Sequence, residues 1–216
     1  MFLRVCEIFK SVQGESSFAG QPCIFVRLAG CNLRCRWCDT QYAYEGGQNL
    51  LVEEVIDKIE QLNCNLVELT GGEPMCQSQL ACQLMAWLIK KGKTVLLETN
   101  GSMPLDDVPQ GVHRIIDLKP PGSHVIHPEN IWMHYAENWR NTDEIKCVVA
   151  NREDFDWCIQ KLHQYKAFTR VIIHFSPVWD ELAPAELVTW ICESQLPIRL
   201  NLQIHKVIWD PDARGV

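Results

Sequence analysis

No apolar run in this 216-residue chain approaches the ~20 residues that span a bilayer. Residues 1–10 also lack the long apolar centre and small-residue cleavage site of a secretory signal. Membrane insertion and export are therefore not expected, and the sequence reads as cytoplasmic. Positive charge is scarce too: 20 Lys and Arg face 27 Asp and Glu, for a formal net charge of −7. Without a Lys/Arg cluster there is no stripe to neutralise phosphates, so direct nucleic-acid binding is not expected. No linker, charge run or low-complexity segment divides the chain. At 47% hydrophobic and 22% charged residues, the composition is ordinary for a globular protein, and one domain over 1–216 is expected.

Cysteine, by contrast, is plentiful. Eleven cysteines, scattered and without an export signal, point to free thiols in a reducing compartment. Cys6, Cys23, Cys64, Cys147 and Cys192 lie in or beside apolar segments and read as small hydrophobes, as do Cys82 and Cys158. Cys76 follows a glycine-rich turn and is the least certain of this group. Cys31, Cys35 and Cys38 differ in kind. They fall within eight residues, in Gly30-Cys31-Asn32-Leu33-Arg34-Cys35-Arg36-Trp37-Cys38-Asp39-Thr40, directly after the apolar run 23–29. Three thiolates this close can hold three irons of a four-iron cluster and leave the fourth iron open to a small molecule.

Short β-branched runs alternate with helical patterns along the rest of the chain. Strands are expected at 24–28, 66–69, 94–98, 114–118, 144–149, 171–175 and 198–204, and helices at 52–62, 80–90, 153–165 and 184–194. Pro184 suits a first helical turn, and Asn151 followed by Glu153 and Asp154 suits an N-cap. A repeated βα unit implies an α/β protein with a parallel sheet. Because a complete eight-fold barrel takes about 250 residues, an incomplete TIM-type barrel is expected.

The unusual residues follow the strands. The cysteines come after the first, Thr70-Gly71-Gly72-Glu73-Pro74 after the second, Glu98-Thr99-Asn100-Gly101 after the third and Asp117-Leu118-Lys119-Pro120-Pro121 after the fourth. Ser176-Pro177 ends the sixth and His205-Lys206 the last. Parallel strands would gather all of them at one rim. A zinc-binding interaction module built on Cys31, Cys35, Cys38 and Asp39 is an alternative, but it leaves the other rim segments without a role.

Cys31-x-x-x-Cys35-x-x-Cys38 with Gly71-Gly72-Glu73-Pro74, and Trp37 before the last cysteine, resembles the radical S-adenosylmethionine superfamily. The resemblance implies a partial-barrel core, a [4Fe–4S] cluster on the three cysteines and S-adenosylmethionine on its free iron. Reductive cleavage would then yield a 5′-deoxyadenosyl radical, with the electron from an external donor of flavodoxin or ferredoxin type. It also implies that Trp37, Cys38 and Asp39 lie against the cofactor, and that Gly71, Gly72 and Glu73 meet its methionine amino group. Asp117, Lys119 and Ser176 would serve its ribose and carboxylate.

A second set of residues narrows the reaction. The segment from Phe9 to Ser16, which includes Val12, Gln13, Gly14 and Glu15, is similar to the 7-carboxy-7-deazaguanine synthase family, as are Arg27, Cys38-Asp39-Thr40 and Gln203-Ile204-His205-Lys206. This similarity runs from residue 7 to the carboxyl terminus. It implies rearrangement of 6-carboxy-5,6,7,8-tetrahydropterin to 7-carboxy-7-deazaguanine with loss of ammonia, on the route to queuosine, by a Mg²⁺-dependent homodimer. Val12, Gln13, Gly14, Glu15, Arg27, Thr70, His205 and the terminal carboxylate of Val216 would contact the pterin, and Thr40 would ligate Mg²⁺. No side chain would initiate the radical, which the cofactor supplies.

The residue chemistry is compatible with these roles. The Gln13 amide and the Glu15 carboxylate match a donor and acceptor ring edge. Arg27 offers a fork for a carboxylate, with a structural ion pair as its plainer role. A hydroxyl such as that of Thr40 can ligate a hard cation. An activase for a glycyl-radical protein would share the cysteines and Gly71-Gly72-Glu73-Pro74 but would not need Gln13, Glu15, Arg27 and His205 together.

Overall fold

Period-two alternation builds the sheet. The computed structural model describes residues 1–211 and 213–216. Nine strands form one sheet: β1 (Phe2–Val12), β2 (Pro22–Leu28), β3 (Gln48–Leu51), β4 (Leu66–Gly71), β5 (Thr94–Thr99), β6 (His113–Asp117), β7 (Glu144–Val149), β8 (Ile172–Pro177) and β9 (Ile198–Leu200). Their order is β3-β1-β2-β4-β5-β6-β7-β8-β9. From β2 onward the neighbours run parallel, whereas β1 pairs antiparallel with both β2 and β3. The sheet stays open between β3 and β9, the partial barrel that the chain length implies.

One face of the parallel strands packs under the helices. Ile24, Val26, Val67, Leu69, Val95, Leu97, Ile145, Cys147, Ile173 and Phe175 belong to this main core. The alternate positions point to the other face. There Cys23, Phe25, Leu66, Leu96 and Ile115 form a separate apolar layer with Phe9 and Phe18. Continuing along the same face toward the carboxyl ends, the next positions are Arg27, Glu68, Thr70, Glu98, Asp117 and Lys146. The strand pattern thus sets an apolar floor beneath a polar layer.

The helices are α1 (Val52–Leu62), α2 (Ser78–Lys90), α3 (Glu129–Glu137), α4 (Arg152–Gln164), α5 (Pro184–Ser194) and α6 (Ile204–Ile208). α1 and α5 have the bounds that the sequence predicts, and Pro184 occupies the first turn of α5. Asn151 caps α4, its side-chain oxygen accepting the Asp154 N–H at 2.9 Å. Asn151→Ala should lower stability by about 1 kcal/mol, moving the melting temperature down by roughly 2–4 °C. Calorimetry of the purified protein checks this.

Three departures have local causes. β1 and β3 lack a strong apolar run and become strands through antiparallel pairing at the sheet edge. α3 forms where no helix is expected from the sequence, and buries Trp132 and Tyr135. The strand expected over 198–204 stops at Leu200, and 204–208 turns helical where the Ile204 N–H donates to the Gly14 carbonyl at 3.1 Å. Cys76 and Cys192 are exposed, unlike the buried Cys23, Cys147 and Cys158. His174 is a hydrogen-bonded core residue 2.7 Å from Glu144.

Candidate active site

A cavity of about 610 Å³ opens at the carboxyl ends of the parallel strands. Its wall brings Cys31, Cys35 and Cys38 together with Val12, Gln13, Gly14, Glu15, Arg27 and Thr70. Trp37, Asp39, Thr40, Gly71, Gly72, Asp117, Lys119, His205 and Val216 complete the predicted set found there. Two predicted residues are not on the wall. Glu73 and Ser176 are both buried, at 0% and 1% exposure. Ser176 instead accepts a hydrogen bond from the Asn201 side chain at 3.0 Å, which joins β8 to the segment after β9.

The cysteine loop is held by its neighbours. Gly71 has φ 136°, and a Cβ there would collide with the Leu28 carbonyl oxygen and lie 2.5 Å from the Leu28 nitrogen. At Gly72 a Cβ would sit 2.6 Å from the Gly30 carbonyl carbon. The Gly72 N–H donates to the Leu28 carbonyl at 3.0 Å and the Glu73 N–H to the Gly30 carbonyl at 2.8 Å. These glycines are therefore required first by the approach of β4 to the start of the cysteine loop. Any amino group meeting this turn needs an acceptor, and the N–H groups of Gly72 and Glu73 are already spent.

The Glu73 side chain is a brace inside the protein and does not line the cavity. Its carboxylate accepts from the Met75 N–H at 2.9 Å, the Thr99 hydroxyl at 2.8 Å and the Asn100 N–H at 2.6 Å. Burial pushes its carboxyl up to about 7 despite those donors. The brace positions Asn100, whose side-chain amide donates to Asn32 Oδ1 at 2.9 Å and to Cys31 Sγ at 3.8 Å. Cys31 Sγ also accepts the Leu33 N–H at 3.4 Å.

These residues fit an iron–sulfur cluster and S-adenosylmethionine. The three cysteines are free thiols on one wall, and N–H donors to a thiolate sulfur are a device that tunes such clusters. Among the described residues, no three His, Cys, Asp or Glu side chains are placed to hold a single metal ion. Thiolates that each serve a different iron need no such convergence. Trp37 Nε1 and Asp117 Oδ1 are buried polar atoms without a hydrogen-bond partner among the described residues. Both belong to cavity-lining residues, where a bound molecule could satisfy them.

A polar network spans the strand layer. Lys146 contacts Glu15 Oε2 at 2.9 Å, Glu98 directly and Asp117 Oδ1 at 3.5 Å. Lys119 pairs with the other Asp117 oxygen at 2.6 Å. Burial opposes ionisation of Glu15, but the Lys146 ammonium and the Gln203 amide hold its carboxyl below the usual range. Burial and the nearby Glu98 push Glu68 well above it. Gln13 is more committed than its sequence position suggests. Its amide nitrogen donates to Glu68 and its oxygen accepts the Glu15 N–H at 3.0 Å.

Arg27 is held in a structural ion pair and still lines the cavity. Its Nε donates to Glu7 at 2.7 Å while the side chain lines the cavity, and Tyr42 donates to the same Glu7 oxygen at 2.8 Å. The pair uses one of the five guanidinium donors. Thr40 donates its hydroxyl to Asp39 at 3.0 Å, and Asp39 also accepts from Lys206 at 2.9 Å and Gln203 at 3.2 Å. His205 approaches the loop so closely that a Cβ on Gly14 would lie 2.8 Å from its Nδ1. Burial lowers the His205 pKa, which favours the neutral ring.

Sequence reading placed Glu98, Asn100, Gln203 and Lys206 in rim motifs without giving them a role, and did not single out Glu68 or Lys146. A usable signal exists for the strand residues: Glu68, Glu98 and Lys146 are charges inside apolar runs, in phase with the inward positions. Comparison with known proteins agrees with the geometry. Residues 26–124 match the radical SAM superfamily. The 7-carboxy-7-deazaguanine synthase of Chlorobaculum tepidum is 44% identical over 99% of this chain and 97% of its own length. That of Koribacter versatilis is 38% identical over 99% of this chain and 100% of its own. The crystal structure of QueE from Escherichia coli shares the fold with a TM-score of 0.73 at 23% identity, covering 94% of each chain.

Proposed function

Because this chain belongs to the 7-carboxy-7-deazaguanine synthase family of radical SAM enzymes, we propose that its rim cavity binds the pterin and S-adenosylmethionine side by side. The activity is conversion of 6-carboxy-5,6,7,8-tetrahydropterin to 7-carboxy-7-deazaguanine with loss of ammonia, in queuosine and 7-deazapurine biosynthesis. The observation that carries the site assignment is the shared wall of the cluster cysteines and the loop 12–15. When bound, the cluster and S-adenosylmethionine supply a 5′-deoxyadenosyl radical.

The remaining work falls to the chain's own side chains. Cys31, Cys35 and Cys38 hold the cluster, and Trp37, Asp39, Asp117 and Lys119 orient the cofactor beside it. Glu15, Thr70 and His205 orient the pterin ring, with Val12, Gln13 and Gly14 shaping its pocket, while Arg27 and the Val216 end of the chain approach its polar edges. Thr40 ligates Mg²⁺, which orients substrate and balances developing charge. Glu73 and Ser176 act on this arrangement only through the loops they brace.

An external flavodoxin- or ferredoxin-type donor delivers the electron. The exposed Asn32 and Arg34 put the outer edge of the cysteine loop in solvent, which supports that route. A single-domain homodimer is the expected form. Exposed Leu200, Leu202, Val207 and Ile208, on or beside the β9 edge, support association. No described helix is long and apolar enough to cross a membrane, which is compatible with the cytoplasmic location expected from the sequence.

Anaerobic incubation of reconstituted protein with the carboxytetrahydropterin, S-adenosylmethionine, Mg²⁺ and reductant, followed by product identification, tests the activity. Failure to form the deazaguanine with an intact cluster would overturn it. Two variants separate the side-chain roles. Arg27→Ala should weaken pterin binding roughly tenfold to over a hundredfold, the scale of a hydrogen bond to a charged group. Thr40→Ala should blunt the response of the rate to Mg²⁺ with cluster content unchanged. Titrations of pterin and of Mg²⁺ against each variant read both effects, and an unaltered titration removes the residue from its role.

A further inference from the structure

The inward positions of β7 are Glu144, Lys146 and Val148, and Lys146 is only 7% exposed. A buried ammonium is costly unless it is paired. Lys146 meets three carboxylates from three different elements: Glu15 from the loop after β1, Glu98 from β5 and Asp117 from β6. The ammonium donates hydrogen bonds to Glu15 and Glu98 and stands at ion-pair distance from Asp117. All three acceptors are also held from elsewhere, Glu15 by Gln203 at 2.8 Å and Glu98 by the Thr70 hydroxyl at 3.2 Å. Asp117 is held by Lys119 at 2.6 Å.

From this arrangement we infer that Lys146 is a positioning residue for the reaction. It holds Glu15 and Glu98 as a pair of acceptors for the N–H groups on the pterin's aminopyrimidinone edge, at a fixed offset from Asp117 on the cofactor side. The inference rests on the substrate assignment under Proposed function and adds a residue to it. Its chemical basis is the balance of charge. Glu15, Glu98 and the nearby Glu68 face one hollow, and like charges in such a space favour protonation of one partner. A protonated carboxyl turned toward the pterin would present a donor to a donor. The Lys146 ammonium, bonded to both Glu15 and Glu98, offsets that repulsion and fixes the spacing between the two carboxylates. Asp117 keeps its bond to Lys119 whether or not Lys146 is present, so the cofactor side does not depend on this ammonium.

The test uses anaerobically reconstituted holoenzyme and the carboxytetrahydropterin itself. Lys146→Met removes the charge and keeps most of the side-chain volume. It should retain the full iron and sulfide complement and wild-type affinity for S-adenosylmethionine, while pterin affinity falls about tenfold to a hundredfold. Lys146→Arg, which preserves the charge, should recover most of that loss. A purely structural lysine would shift stability without this split between the two ligands. Wild-type pterin affinity in a cluster-loaded Lys146→Met enzyme would overturn the inference, as would a Lys146→Arg enzyme no better than the methionine variant. If Lys146→Met does not fold, Glu98→Gln replaces it and should weaken pterin binding similarly, and unchanged affinity there also overturns the inference. Wild-type enzyme that forms the deazaguanine beside an unaffected variant sinks only the role of Lys146, whereas wild-type enzyme that forms none sinks the functional assignment.

Discussion

Cys35→Ala should fold, fail to hold an intact cluster and cleave no S-adenosylmethionine. Folding survives because the loop is shaped by contacts that do not use the sulfur. The Arg36 N–H donates to the Ser123 carbonyl at 3.0 Å, and the Arg36 guanidinium grips Glu181 through two bonds of 2.8 and 2.7 Å. The Cys38 N–H donates to the Cys35 carbonyl, which alanine retains, at 3.3 Å. Chemistry is lost because three cysteines leave no spare protein ligand for the iron that Cys35 would hold. Iron and sulfide analysis, the visible spectrum and a 5′-deoxyadenosine assay read the result. A full complement of iron with normal turnover would remove Cys35 from the ligand set. Cys192→Ala, at an exposed cysteine outside the cavity, is the matched control and should behave as wild type.

Gly71→Ala should have the largest effect on the fold of any substitution at the rim. Its φ of 136° is a conformation that L side chains rarely adopt, and the added Cβ would run into the backbone of Leu28. Neither strand can yield cheaply, since Leu28 and Gly71 are register partners between β2 and β4. Backbone strain of about 1–3 kcal/mol adds to an overpacking cost of about 1–3 kcal/mol. The melting temperature should fall by roughly 10 °C, and cluster loading should fall with it because the Gly30 end of the cysteine loop is displaced. Gly20→Ala separates the two costs, because its φ is 88° but a Cβ there meets nothing within 4 Å. A Gly71→Ala melt no lower than that of Gly20→Ala would show that the Leu28 contact is not limiting.

Much of the architecture was legible because parallel strands buried on both faces must be apolar runs, and the helices between them must show a 3.6-residue stripe. That rule located β2, β4 to β8 and four helices. It failed for β1 and β3, whose strand character comes from edge pairing, and for α3, whose nine residues are too few to show the stripe although they bury Trp132 and Tyr135. The site was partly legible for a different reason. Three cysteines in eight residues have few chemical uses, a cluster or a zinc site among them, and the order of motifs after strands, which places them on one rim, favours the cluster.

What the sequence by itself determined is therefore the type of chemistry and the side of the sheet on which it occurs. Tertiary structure alone decided which residues share a contact. Glu15, Glu98, Asp117 and Lys146 are separated by up to 131 positions, yet they meet around one ammonium. No local pattern encodes that meeting, because it depends on strand register and on which phase of each strand points inward. The same holds for Glu73 and Ser176. Their positions beside rim motifs suggested ligand contact, but the turn of the backbone carries Glu73 into the Thr99 and Asn100 loop and leaves Ser176 against Asn201. Side-chain direction at a strand end is set by packing against neighbours distant in sequence, and only the folded chain supplies those neighbours.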